Sequence, residues 1–135
     1  MPCVRQVDWR LWIGWPVAAG YAAFVAYMSL RRFGTSPMDR AIDSIGRAYF
    51  HLPAYAGLAA LLALAMKPRK SKGWRAALAL AVATAYGWLL EVAQIATPTR
   101  TFNVQGLVFD AVGATAGAAA VFLFFLWRER ARRET

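Results

Sequence analysis

The sequence predicts an all-α fold: one membrane domain, residues 1–135, built as a bundle of four transmembrane helices with both termini cytoplasmic. Three observations predict it. The chain is 59% hydrophobic with only 17% charged residues, and its mean hydropathy is +0.37. Four separate apolar runs are each about 18 residues or longer, enough to cross a hydrocarbon core of about 30 Å at about 1.5 Å per residue. The cations cluster between and beyond these runs. So many apolar runs in 135 residues leave too little polar chain to cover a soluble core. A backbone in lipid must satisfy its own hydrogen bonds, which makes helices the default.

The first run is Leu11–Leu30, "LWIGWPVAAGYAAFVAYMSL". Arg5 and Arg10 precede it, as in a secretory signal. Its end, "YMSLRR", lacks a small-residue cleavage pattern, so a retained helix is expected. The second run is Tyr49–Met66, the third Ala76–Ala96 and the fourth Gly106–Trp127. The single Cys3 excludes an intrachain disulfide and has no metal-site spacing.

Four spans would place the N-terminus, the loop after the second run and the C-terminus on one side. That side holds Arg5, Arg10, Lys67, Arg69, Lys70, Lys72, Arg75, Arg128, Arg130, Arg132 and Arg133. The other side holds Arg31, Arg32, Arg40, Arg47 and Arg100. The bias of 11 to 5 makes the first side cytoplasmic. Trp12, Trp15, Trp74 and Trp127 fall at the same ends, as an interfacial aromatic belt requires. The net charge of +9 is accounted for by this topology and by attraction to anionic lipid. No nucleic-acid motif is present, and no nucleic-acid partner is expected.

Against this background Glu91 is out of place. It lies six residues before Thr97, roughly 9 Å inside the outer end of the third run. Intramembrane ionisable residues are costly there and usually face protein or a wet cavity. Thr84, Gly87, Glu91 and Gln94 recur at spacings of three and four and so share one face. In the fourth run Gly106, Asp110, Gly113 and Gly117 do the same. Gly113 and Gly117 form a small-xxx-small face suited to close helix packing. His51 and Tyr55 stand one turn apart near the outer end of the second run. The simplest arrangement turns these faces inward, enclosing a polar pocket of His51, Tyr55, Glu91, Gln94 and Asp110, with Arg100 in the loop above.

Two uses of this cluster stand side by side: a ligand site, or a structural network in which the carboxylates pair with Arg100 or Arg47. A His with two carboxylates also suits general acid/base chemistry. No serine or cysteine nucleophile lies at that depth on these faces, so no catalytic signature is read and a non-enzymatic role is favoured. None of the usual metal spacings is present, and neither a metal nor a cofactor is expected.

The pattern "HLPAY", then "EVAQIATPTR", then a helix with Gly-xxx-Gly resembles the VanZ-like family of small bacterial membrane proteins. The resemblance covers residues 49–120 and falls on His51, Tyr55, Glu91, Gln94, Pro98, Arg100, Gly113 and Gly117. It departs at Gly106, where the family has Asp, and at Asp110, where it has Asn. Arg47 and Ala48 stand in place of its Asp-Lys. The resemblance implies a multi-pass protein of the bacterial inner membrane acting at the cell envelope, since the founding member is associated with low-level teicoplanin resistance. Its partner would be membrane lipid, with a lipid headgroup, a lipid-linked precursor or a lipoglycopeptide as ligand. The alternative is a non-catalytic accessory or assembly subunit of a larger respiratory or photosynthetic membrane complex. There the polar cluster only holds the bundle, and His51 at most ligates a pigment or haem. A lipid-headgroup hydrolase is a third reading.

Overall fold

The computed structural model describes residues 10–30, 37, 47–67, 71–96 and 104–134. The chain is all-helical there, with four helices: α1 (Trp15–Leu30), α2 (Arg47–Ala65), α3 (Lys72–Ile95) and α4 (Val104–Arg133). A π-helical turn, Arg10–Gly14, leads into α1. Pro16 has no N–H to donate back toward Trp12, a loss that the first turn of a helix tolerates.

Three spans are long and apolar enough to cross a membrane: Trp12–Leu30, Lys72–Ile95 and Val104–Arg133. The apolar part of the remaining helix, Tyr49–Ala65, is shorter. It ends one residue before the sequence-based boundary because Met66, though its N–H still bonds to Leu62 O at 3.2 Å, lies outside the helix. α1 ends with its apolar run at Leu30, whereas α3 and α4 extend beyond theirs toward the cationic end. α3 starts at Lys72 rather than Ala76 because Ser71 caps it: its Oγ accepts from the Trp74 N–H at 3.2 Å, and its carbonyl from the Arg75 N–H at 3.0 Å. α4 continues past Trp127 to Arg133 through residues of high helix propensity, and basic side chains in its last turn complement the helix dipole.

α2 is the centre of the bundle. It packs most extensively against α4, and α3 packs on both; α1 lies against α2 and α3. The α2–α4 contact is made by backbone. A Cβ added to Gly113 would fall 3.0 Å from Leu52 Cα, and one added to Gly117 2.8 Å from Ala56 Cα. Each pair advances by four residues, so the two helices run parallel in a fixed register. α3 is the antiparallel crossover. Around this seam Tyr55, Leu58, Ala59, Ala63, Ala79, Ala83, Ala114 and Ala118 form the buried core. These are mostly small side chains, which let helices approach closely where lipid supplies no hydrophobic drive between them.

α1 is the least embedded helix, with only Ala18 and Val25 buried. Its Tyr21 ring covers Gly57 of α2, where an added Cβ would meet the Tyr21 Cζ at 3.0 Å. The Tyr86 hydroxyl donates to Ala22 O at 2.8 Å. The outer faces of α1, α3 and α4 expose Phe24, Tyr27, Leu89, Val92, Val108, Val112 and Leu123, as lipid contact requires. Trp12, Trp15, Trp74 and Trp127 are all exposed.

The seam sets a test. Gly117→Ala should destabilise the bundle by about 1–3 kcal/mol, the usual cost of overpacking, because the obstructing atoms are Ala56 backbone and cannot rotate away. Ala119→Leu, on the exposed face of α4, should leave the melting temperature in detergent unchanged. Equal melting temperatures for the two variants would contradict the packing.

Candidate functional site

Antiparallel crossing by α3 brings the N-terminal ends of α2 and α4 and the C-terminal end of α3 to one end of the bundle. His51 sits four residues into α2, Asp110 six residues into α4 and Glu91 four residues before the last residue of α3. At about 1.5 Å per residue these depths agree within roughly 3 Å.

Asp110 is buried, and its Oδ1 lies 2.7 Å from His51 Nδ1. With the carboxyl ionised, Nδ1–H is the donor, and the remaining lone pair is on Nε2. The imidazole is half-buried while the carboxylate is nearly sealed, with side chains 23% and 4% exposed. One turn deeper, the Tyr55 ring lies parallel to the imidazole, 5° between planes and 6.1 Å between centroids. Gly87 of α3 is the floor under this group. A Cβ there would stand 2.5 Å from Asp110 Oδ2 and 3.1 Å from Tyr55 Cε1. Glycine at 87 is therefore what lets the Asp110 carboxylate enter the α3 interface.

Glu91, one turn beyond Gly87, is also buried. The next polar residue of the same face has a different destination. Gln94 is buried, and its Nε2 donates to Ser29 O in the last turn of α1 at 3.0 Å. The acceptor is a carbonyl of the last described turn of α1. The structure thus brings His51, Tyr55 and Asp110 together around Gly87, keeps Glu91 inside the bundle beside them, and sends Gln94 to α1. Gly106, Gly113 and Gly117 are buried on α4. Arg100 lies outside the described residues, as do Pro98 and the rest of its loop. Nothing is described of the Arg47 side chain. Among the described residues no group of three or more His, Cys, Asp and Glu is placed to hold a metal ion.

One functional contact is not evident from the sequence. Arg75 reads there as one more cation at the charged end. In the structure it is 4% exposed. Its Nη2 donates to Ala63 O in the last turn of α2 at 2.6 Å, and its guanidinium lies 4.2 Å from the centroid of the Phe125 ring. It ties α2, α3 and α4 together through a charge-assisted bond and a cation–π contact. Its signal in the sequence is the face it shares with Ala79 and Ala83, at a spacing of four. Beside it Lys72 pairs with Glu129 on α4.

The fold and the site define a polytopic α-helical membrane protein with ionisable groups sequestered at one end of its bundle. The chain belongs to the VanZ/LLP1 family, whose sequence model matches residues 14–127. No significant match is found among curated proteins or solved structures.

The hydrogen bonds set a double-mutant test. His51→Ala and Asp110→Ala should couple by about 1–3 kcal/mol in detergent unfolding, as contacting residues of one charge-assisted pair do. His51→Ala and Gln94→Ala should be additive within about 0.5 kcal/mol, because Gln94 bonds to α1. The reverse pattern would place Gln94, not Asp110, in the His51 network.

Proposed function

We propose that this is a bacterial inner-membrane protein, its cationic end in the cytoplasm, whose opposite end receives the polar headgroup of a lipid at the cell envelope. The reading is carried by the depth match of His51, Glu91 and Asp110 on three helices, with His51 only half-buried at the rim while Asp110 is sealed behind it. Ionisable groups are expensive at membrane depth, and those retained there commonly mark substrate pathways. The cationic end is the natural cytoplasmic face by the positive-inside rule, with Arg128, Arg130, Arg132 and Arg133 exposed on the end of α4.

The rim lies about 6–9 Å from the helix ends, level with the headgroup and upper acyl region. A membrane lipid reaches this depth without leaving the bilayer. A lipid-linked envelope precursor or a lipoglycopeptide presents the same geometry, a polar head on an apolar tail. The site residues bind and orient; no nucleophile is assigned, and the role needs no covalent step.

Purification in mild detergent, followed by native mass spectrometry and lipid identification, tests this. The wild type should carry a polar lipid. Glu91→Gln with Asp110→Asn should lose most of it while retaining a cooperative melt. A stoichiometric complex with other membrane proteins, and no lipid dependence on these two positions, would instead establish the accessory-subunit role. A cysteine at Thr101 should react with an impermeant thiol reagent added from outside. Labelling only after the inner face is opened would reverse the orientation.

A further inference from the structure

The Tyr55 hydroxyl lies in a side chain that is among the most buried of the bundle, 1% exposed, yet it has no hydrogen-bond partner among the described residues. A buried hydroxyl left unpaired forfeits its hydrogen bond to water without replacement, and low surrounding polarity makes the cost harder to escape. Its position is specific. The residue belongs to the same α2 face as His51, one turn deeper, with parallel rings, and it packs across Gly87 beside the Asp110 carboxylate.

The two side chains have complementary needs. His51 is oriented by Asp110 through Nδ1, so in the neutral imidazole Nε2 accepts a hydrogen bond. The Tyr55 hydroxyl has a proton to donate. An ammonium headgroup only donates, and a phosphodiester only accepts. A hydroxyl does both, and a diol spans two sites one turn apart. Resting on the lipid-headgroup reading above, we propose that the site selects a hydroxyl-bearing headgroup, glycerol or sugar, through His51 Nε2 and the Tyr55 hydroxyl. Asp110 is the positioning residue that fixes the imidazole.

The test uses the full chain in detergent and three lipids with matched acyl chains, read by native mass spectrometry. Phosphatidylglycerol carries hydroxyls and one negative charge. Phosphatidylmethanol carries the same charge and no hydroxyl. A monoglucosyl diacylglycerol carries hydroxyls and no charge. Wild type should retain at least one hydroxylated lipid about tenfold better than phosphatidylmethanol, the worth of one or two hydrogen bonds. Preference for the first hydroxylated lipid identifies a glycerol head, and for the second a sugar head. His51→Asn is the discriminating variant, because its amide nitrogen takes the place of Nδ1 and keeps the bond to Asp110 while Nε2 is gone. It should melt like wild type and lose the preference. Tyr55→Phe should melt at the wild-type temperature or above in lipid-free detergent, since it removes the unpaired hydroxyl, and should also lose the preference. Retention of phosphatidylmethanol equal to that of both hydroxylated lipids overturns the proposal, as does a preference that survives both substitutions. If lipids are retained without hydroxyl preference, and Glu91→Gln with Asp110→Asn releases them, the headgroup reading stands and only the hydroxyl selection falls. If that double variant changes nothing, both fall.

Discussion

The backbone-to-backbone contact of α2 and α4 is the constraint on which the rest of the bundle depends. Gly113 faces Leu52 and Gly117 faces Ala56 with no room for a Cβ at either glycine. Two consecutive contacts of this kind lock both the rotation and the register of the helices. The consequence for the polar end is direct. Asp110 precedes Gly113 by one turn, and His51 adjoins Leu52, so the seam itself delivers the carboxylate to the imidazole. A helix pair separated by larger side chains would hold these groups too far apart for a 2.7 Å contact. The hydrogen bond is thus a result of close packing as much as a cause of it.

Around that seam, polar side chains act on helix ends. Gln94 meets the Ser29 carbonyl in the last turn of α1, and Arg75 meets the Ala63 carbonyl in the last turn of α2. Lipid supplies no donor to a terminal carbonyl that its own helix leaves unpaired. A long side chain from the neighbouring helix both satisfies the group and fixes how far the neighbour slides. These two bonds sit at opposite ends of α3, so they hold its axial position against α1 and α2. Gln94, together with the Tyr86 bond to Ala22 O, explains how a helix as weakly embedded as α1 stays attached.

The two ends of the bundle consequently carry different chemistry. At the cationic end charge is either exposed, as at Arg130 and Arg133, or consumed internally, as at Arg75, with the Lys72–Glu129 pair between α3 and α4. Among the described side chains of the other end, the acidic and imidazole groups are Glu91, Asp110 and His51, buried to different degrees, with the imidazole the more exposed partner of its pair. A gradient from sealed carboxylate to half-open imidazole resembles the way binding sites orient a contacting group through a shielded one, and it is the observation on which the proposed headgroup reading rests.

The sequence by itself determined the apolar spans, the segregation of cations and tryptophans, and the polar residues at one depth, because each depends only on composition and distance along a helix axis. The small-xxx-small face of Gly113 and Gly117 was legible for the same reason: a spacing of four is a property of one helix. Membership of a family was legible in the string of polar positions from His51 to Gly117. Tertiary structure alone decided partners. Glu91, Gln94 and Gly87 share one face in the sequence, yet Gly87 accommodates Asp110 while Gln94 reaches α1, because a helix face broad enough to touch two neighbours is divided by their crossing geometry. Arg75 looked like a topology charge, since nothing local to "KGWRAA" tells a snorkelling arginine from one folded back onto a carbonyl twelve residues earlier. Such choices rest on the rotation and register of helices that meet far apart in sequence, and those are set by the glycine seam.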